Sequence, residues 1–124
     1  METGYQMTDY VTAEIPYGQK YAMISLPMRS KSLYEIVEDF NRHKRYLEHL
    51  GYEVINTIFT PDADRSFVCD GNGTDRTPVK MLGESIIKMA IADVVYFAKG
   101  WETARGCVIE HEVAKRYSIP CMYE

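Results

Sequence analysis

YAMISLPMRSKSLYEIVEDFNRHKRYLEHLGYEVINT, residues Tyr21–Thr57, decides the fold. Its first six residues form a short apolar run closed by Pro27, which reads as a buried strand. The loop PMRSK follows. Ser32 then stands three residues before Glu35, the spacing of a capping box, in which each side chain bonds the other's backbone N–H. Leu33, Ile36, Val37, Phe40, Leu47 and Leu50 recur at helical spacing and predict one amphipathic helix. Gly51 sits where a left-handed residue ends such a helix. YEVINT, Tyr52–Thr57, is a second strand. A strand, a helix and a strand joined by short loops make a parallel unit with a right-handed crossover.

The pattern repeats downstream. Thr77-Pro78 reads as a cap followed by proline at the first helical position, and Val79, Leu82, Ile86, Ile87 and Ala90 read as that helix's buried face. Asp93–Ala98, DVVYFA, is a third strand. KGWETAR is a loop, a third helix runs from about Thr103 to Tyr117, and IPCMY at 119–123 holds a fourth strand. Alternation of this kind predicts an α/β domain, a doubly wound, flavodoxin-like or Rossmann-like parallel sheet of about four strands with helices on both faces. The expected strand order is 2-1-3-4. Ligands in such sheets bind outside the carboxyl ends of the strands where the winding reverses. Here that crevice lies between strands one and three, flanked by the loops Leu26–Lys31 and Lys99–Arg105.

One domain is expected from 124 residues. Residues 1–19 are a polar arm or edge strand, with alternation at Tyr10–Ile15 and breakers at Pro16 and Gly18; the six residues ahead of Met7 carry no weight. Ile58–Arg76, with Pro61, Asp62, Asp64, Asp70, Gly71, Gly73 and Asp75, is a long irregular stretch, the pattern of a functional lid or mobile segment. The formal net charge of −4 argues against a nucleic-acid polymer as partner. No apolar run is long enough to span a membrane. Cys69, Cys107 and Cys121 are far apart, His43, His49 and His111 do not cluster, and the Asp-rich loop fits no calcium-loop spacing, so no metal site is expected. An odd cysteine count without a signal peptide reads as a reducing, cytoplasmic setting.

The segment GWETARGCVIEHE, residues 100–112, is where chemistry is expected. Gly106 and Glu110 are four apart and share a helix face, so a ligand can approach closely beside the carboxylate. Glu110 is expected near the helix N-terminus, where the macrodipole favours its ionised form. An ionised carboxylate at a switch-point crevice suits nucleophilic attack; a solvated glutamate early in a helix has the same spacing. Arg29 and Arg105 are the cations of the two crevice loops, placed to hold a phosphate with the backbone N–H groups of helix three, or to pair with surface acids such as Glu102. Trp101 offers a stacking surface for a base or sugar, or packs onto the domain edge. Asp93 opens strand three, a position that turn residues also occupy. His111 points about 100° away from Glu110 on the helix.

The pieces MISLPMR at 23–29, LGYEVIN at 50–56, ADVVYF at 92–97 and GWETARGCVIEHE at 100–112 resemble the nucleoside 2-deoxyribosyltransferase-like superfamily, closest to a small, uncharacterised branch frequent in phages and bacteria. The resemblance covers roughly residues 21–124. Its characterised members exchange bases on deoxyribose or release the base from a 2′-deoxynucleoside 5′-monophosphate. It implies Glu110 as the glutamate that attacks the anomeric carbon, Gly106 as the glycine four residues before it, Asp93 as the strand-opening aspartate, and Arg29 as a phosphate contact. Three positions depart: Met23 stands where the relatives usually carry a positioning tyrosine, Leu26 where they carry a glycine, and Ala104 where some transferases carry an acid. Tyr21 lies on the face of Met23, and Glu102 lies near Ala104.

The expected catalytic residues are therefore Glu110, Asp93 and Glu102. Ser25, Met28, Arg29, Gly100, Trp101, Arg105 and Gly106 are expected to bind a small nucleoside or nucleotide, with no cofactor, in a homo-oligomer. Two other readings stay open: a non-catalytic nucleotide-binding or sensing module on the same fold, and an interaction protein with an incidental crevice.

Overall fold

The computed structural model describes residues 20–58 and 76–124. The alternating stretch at Tyr10–Ile15, Cys69 and almost all of the Ile58–Arg76 loop lie outside the described residues. The elements run β1 (Lys20–Ser25), α1 (Leu33–His49), β2 (Tyr52–Val54), α2 (Thr77–Met89), β3 (Val94–Phe97), a 3-10 turn (Trp101–Thr103), α3 (Arg105–Arg116) and β4 (Cys121–Tyr123). The four strands form one parallel sheet in the order β2-β1-β3-β4. This is the doubly wound α/β, Rossmann-like arrangement expected from the alternation of elements.

α1 begins as its sequence requires. The Ser32 hydroxyl accepts from the Glu35 N–H at 3.1 Å, and the Glu35 carboxylate accepts from the Ser32 N–H at 2.8 Å. It ends at Gly51, whose φ of +100° is a conformation that side chains with a Cβ resist. The buried line of α1 passes through Phe40, His43 and Leu47, with Ile36 packed alongside, while Leu33 and Leu50 are about half exposed. β1 is as long as the run that announces it, but β2, β3 and β4 are shorter than theirs. β2 stops at Val54, although the Ile55 N–H still donates to the Ala22 carbonyl at 2.9 Å.

α2 differs from expectation in two ways. Thr77 lies inside the helix, and the residue ahead of it, Arg76, makes no side-chain cap. Only Met89 is buried; Leu82, Ser85 and Ile86 on the same inward line are half-buried, while Ile87, turned about 100° from Ile86, is 73% exposed, and Val79 and Ala90 are exposed as well.

Side chains alternate across the sheet. Ala22, Ile24, Val94 and Tyr96 face α1 and pack with Phe40 and Leu47. Met23, Val95 and Phe97 face the other way and pack with Met89 and Ala114 of α2 and α3. Two thin cores thus share one sheet. No described helix is long and apolar enough to cross a membrane.

Candidate functional site

The two crevice loops meet. The Ala98 N–H donates to the Ser25 carbonyl at 3.0 Å where β1 and β3 end. A Cβ added to Gly100 would lie 3.7 Å from Pro27 Cγ. Gly100 has φ of +94° and leads into the 3-10 turn, a conformation that favours glycine. In the first loop Lys31 N–H closes a turn onto the Met28 carbonyl at 3.3 Å, and Ser30 within it adopts φ of +65°. The half-buried Met28 and the exposed Arg29 are carried on that turn.

Ser25, last in β1, projects toward α3. Its hydroxyl donates to Glu110 Oε1 at 2.5 Å, and both side chains are buried, Ser25 at 1% and Glu110 at 8% exposure. Ser85 of α2 is a second hydroxyl acting on the Glu110 carboxyl. Burial pushes the Glu110 carboxyl above the ordinary glutamate range, against the two hydroxyls that favour its ionised form. The expected helix-dipole effect is replaced by this one: Glu110 is the sixth residue of α3, counting Arg105 as the first, and the dipole acts mainly within the first turn. Cys107, one helical turn earlier, hydrogen-bonds Ser25 and is pushed up to about 11 by burial, so it stays a thiol. At Gly106 a Cβ would meet nothing within 4 Å, which leaves open space one turn from Glu110 on the same helix face.

The remaining expected residues divide. Arg29 and Arg105 are exposed, and neither makes an ion pair with a described residue. Glu102 is exposed on the 3-10 turn. Trp101 packs its ring at 4.2 Å from His111 and 5.3 Å from Phe97, with Tyr123 at 5.8 Å, so its edge-packing role is realised.

Asp93 lies apart from Glu110 in the chain's fold. It precedes β3 at the amino end of the sheet, where its carboxylate accepts from the Tyr21 N–H at 2.7 Å and its own N–H donates to the Tyr21 carbonyl at 2.8 Å. Four strand residues, roughly 13 Å, separate it from the level of Ser25. In this position it clasps β1 to β3. Met23 is fully buried in the core.

Two residues around Glu110 escape the sequence reading. Ser85 is a lone polar residue on the inward line of α2, which is a legible signal. Cys107 sits three residues before Glu110, on the same face.

A family match spans residues 24–123, from within β1 to the end of β4. The chain belongs to DUF4406, described as a domain of unknown function. The matched segment covers the positions of Ser25, Cys107 and Glu110 and both crevice loops. No curated protein and no solved structure matches the chain. Among the described residues, no group of three or more His, Cys, Asp or Glu could hold a metal ion.

Proposed function

We propose that this chain is an N-glycosidic bond enzyme acting on a deoxynucleoside or its 5′-monophosphate, with Glu110 as the nucleophile. One observation carries this reading: a buried glutamate, bonded to the terminal serine of β1, at the carboxyl edge of the two central strands. That is where doubly wound folds place their ligands. Glu110 attacks the anomeric carbon, the bond from that carbon to the base nitrogen breaks, and a glycosyl ester forms on the carboxylate. Water, or a second base, then attacks the same carbon and frees Glu110. The leaving base takes a proton, for which Glu102 is the carboxyl group of the neighbouring turn. Ser25 and Ser85 hold Glu110 in place and favour its ionised form against burial. Arg29 and Arg105, unpaired among the described residues, supply the charge for a 5′-phosphate.

The alternative is a nucleotide-binding module without catalysis. The raised Glu110 carboxyl favours it, since a protonated glutamate binds hydroxyls but does not attack carbon. A homo-oligomer belongs to either reading.

The deciding experiment is base release from a panel of deoxynucleosides and their 5′-monophosphates, with and without a free acceptor base, beside Glu110→Ala. Free base that disappears in the variant supports the enzyme. Thermal stabilisation by the same compounds with no base release supports the binding module. Silence in both sinks each.

A further inference from the structure

A second cluster of polar groups lies on the α1 side of the sheet and does not include Glu110; Tyr123, which also packs against Trp101, borders it. A cavity of about 320 Å³ is lined by Arg42, His43, Tyr46, Tyr96, Tyr123 and Glu124. That volume is at the small end of the range for small-molecule sites. His43 and Tyr96 form its floor, each 3% exposed. The ring of Tyr46, half exposed, stands 6.2 Å from that of Tyr96.

The hydrogen bonding here is incomplete. His43 Nδ1 lies 3.1 Å from the Tyr96 hydroxyl. Its other nitrogen, Nε2, is 3.7 Å from Glu124 Oε1, too far for a hydrogen bond, and has no other partner among the described residues. A ring nitrogen this deeply buried calls for one. Burial keeps the imidazole neutral by lowering its pKa. The Glu124 carboxylate 3.7 Å from Nε2 favours the tautomer with its hydrogen there, in which the Tyr96 hydroxyl donates to Nδ1 and Nε2 is a donor. Arg42 pairs loosely with Asp39 at 3.6 Å and with Glu124 Oε2 at 3.4 Å, contacts that leave some of its five N–H donors and the Glu124 carboxylate with bonding capacity. Glu124 is held on its other oxygen by the Lys99 N–H at 2.7 Å.

The cavity therefore offers two donors, His43 Nε2–H and the Arg42 guanidinium, beside one fixed acceptor, the Glu124 carboxylate, under a phenol ring. The acid opposes an anionic ligand and the arginine opposes a cationic one. We infer that this cavity is a binding site for a small, neutral, planar lactam ring, whose carbonyl accepts from His43 and Arg42, whose adjacent N–H donates to Glu124, and whose face lies on Tyr46. It is independent of the reading of Glu110.

The test is an NMR titration of the full chain with 2-pyridone, followed through the ring nitrogens of His43, with 1-methyl-2-pyridone as the probe lacking the N–H. The expected result is a saturable shift of His43 Nε2 with 2-pyridone and binding about tenfold weaker, or worse, for the methylated ring. Glu124→Gln and Tyr46→Leu, both at partly exposed positions and checked by melting temperature, weaken 2-pyridone by a similar factor, and Glu110→Gln leaves it unchanged. Equal binding of the two probes, the absence of a His43 shift up to tens of millimolar, or loss of binding in Glu110→Gln alone overturns the assignment.

Discussion

Ser25 and Glu110 are 85 residues apart in the chain and 2.5 Å apart in the fold. The contact joins the end of β1 to the middle of α3 and sets the protonation of the carboxyl group. Burial acts to keep the proton on, and the serine hydroxyl acts to release it. Ser25→Ala is expected to raise the Glu110 pKa further and move the acid limb of the pH–rate profile to higher pH. The activity loss at neutral pH is expected to be roughly tenfold to a hundredfold, the scale of a hydrogen bond to a charged group, about 1.5–3 kcal/mol. A pH profile of kcat/KM in both proteins checks this; an unmoved acid limb counts against Ser25 as the positioning group.

Glu110→Gln separates stability from chemistry. A carboxyl group whose folded pKa is raised stabilises the fold below its unfolded pKa, and that contribution is lost as pH rises through the folded value. Burial penalises the charged form of Glu110, which gains population as pH rises toward 7. The neutral variant is expected to melt higher there by on the order of 1 kcal/mol of stability, with the gain shrinking below the ordinary glutamate pKa, while base release is abolished. Melting curves at pH 4 and pH 7 decide it; a variant less stable at both values refutes the burial argument.

Asp93 gives the opposite pattern. Asp93→Ala removes the acceptor for the Tyr21 N–H at an exposed strand end. The expected cost is roughly 1 kcal/mol or less, with base release per folded molecule unchanged. A large fall in kcat at unchanged stability would return Asp93 to the chemistry.

Much of this was legible before any coordinates. The capped start of α1, its glycine end, the strand order and the meeting of the two loops follow from local rules that act within a few residues. Glu110 and Gly106 were legible as a pair because both lie on one helix. Less local features were hidden. The partner of Glu110 comes from another element, and no spacing rule connects Ser25 or Ser85 to it. Asp93 opens its strand at the end away from Ser25. His43 occupies an apolar slot in the periodicity of α1, between Phe40 and Leu47, and its polarity concealed its burial.

His43 makes the stability sensitive to acid. Its folded pKa is lowered by burial first, then by Arg42 and Lys31, against Glu124 and Asp39, which raise it. A histidine with a depressed folded pKa contributes stability above its unfolded value of about 6.5, and that contribution is lost as pH falls toward the folded one. His43→Leu is expected to flatten the fall in melting temperature below pH 6.5. An equally steep fall in the variant assigns the acid sensitivity elsewhere.

Ser32→Ala removes half of the reciprocal bonding at the start of α1. A loss of about 1 kcal/mol is expected, or roughly 4 °C in melting temperature, with Ser32→Asp recovering most of it. Thermal denaturation of the two variants checks this.

The Tyr21–Asp93 clasp also bears on how the chain acquires its fold. The residues it joins are 72 positions apart, and the β1–β3 ladder beside it is equally non-local. Loop-closure entropy of that size has to be overcome before the central pairing returns any energy, so β1 and β3 should zip late, after α1 has formed against β1 and β2. Contact order of this kind slows folding. It also means that Ser25 and Glu110 come together only in the last event of assembly. No half of the chain carries the site, and a protein cut between α1 and β3 has to reassociate before it can show any chemistry at all.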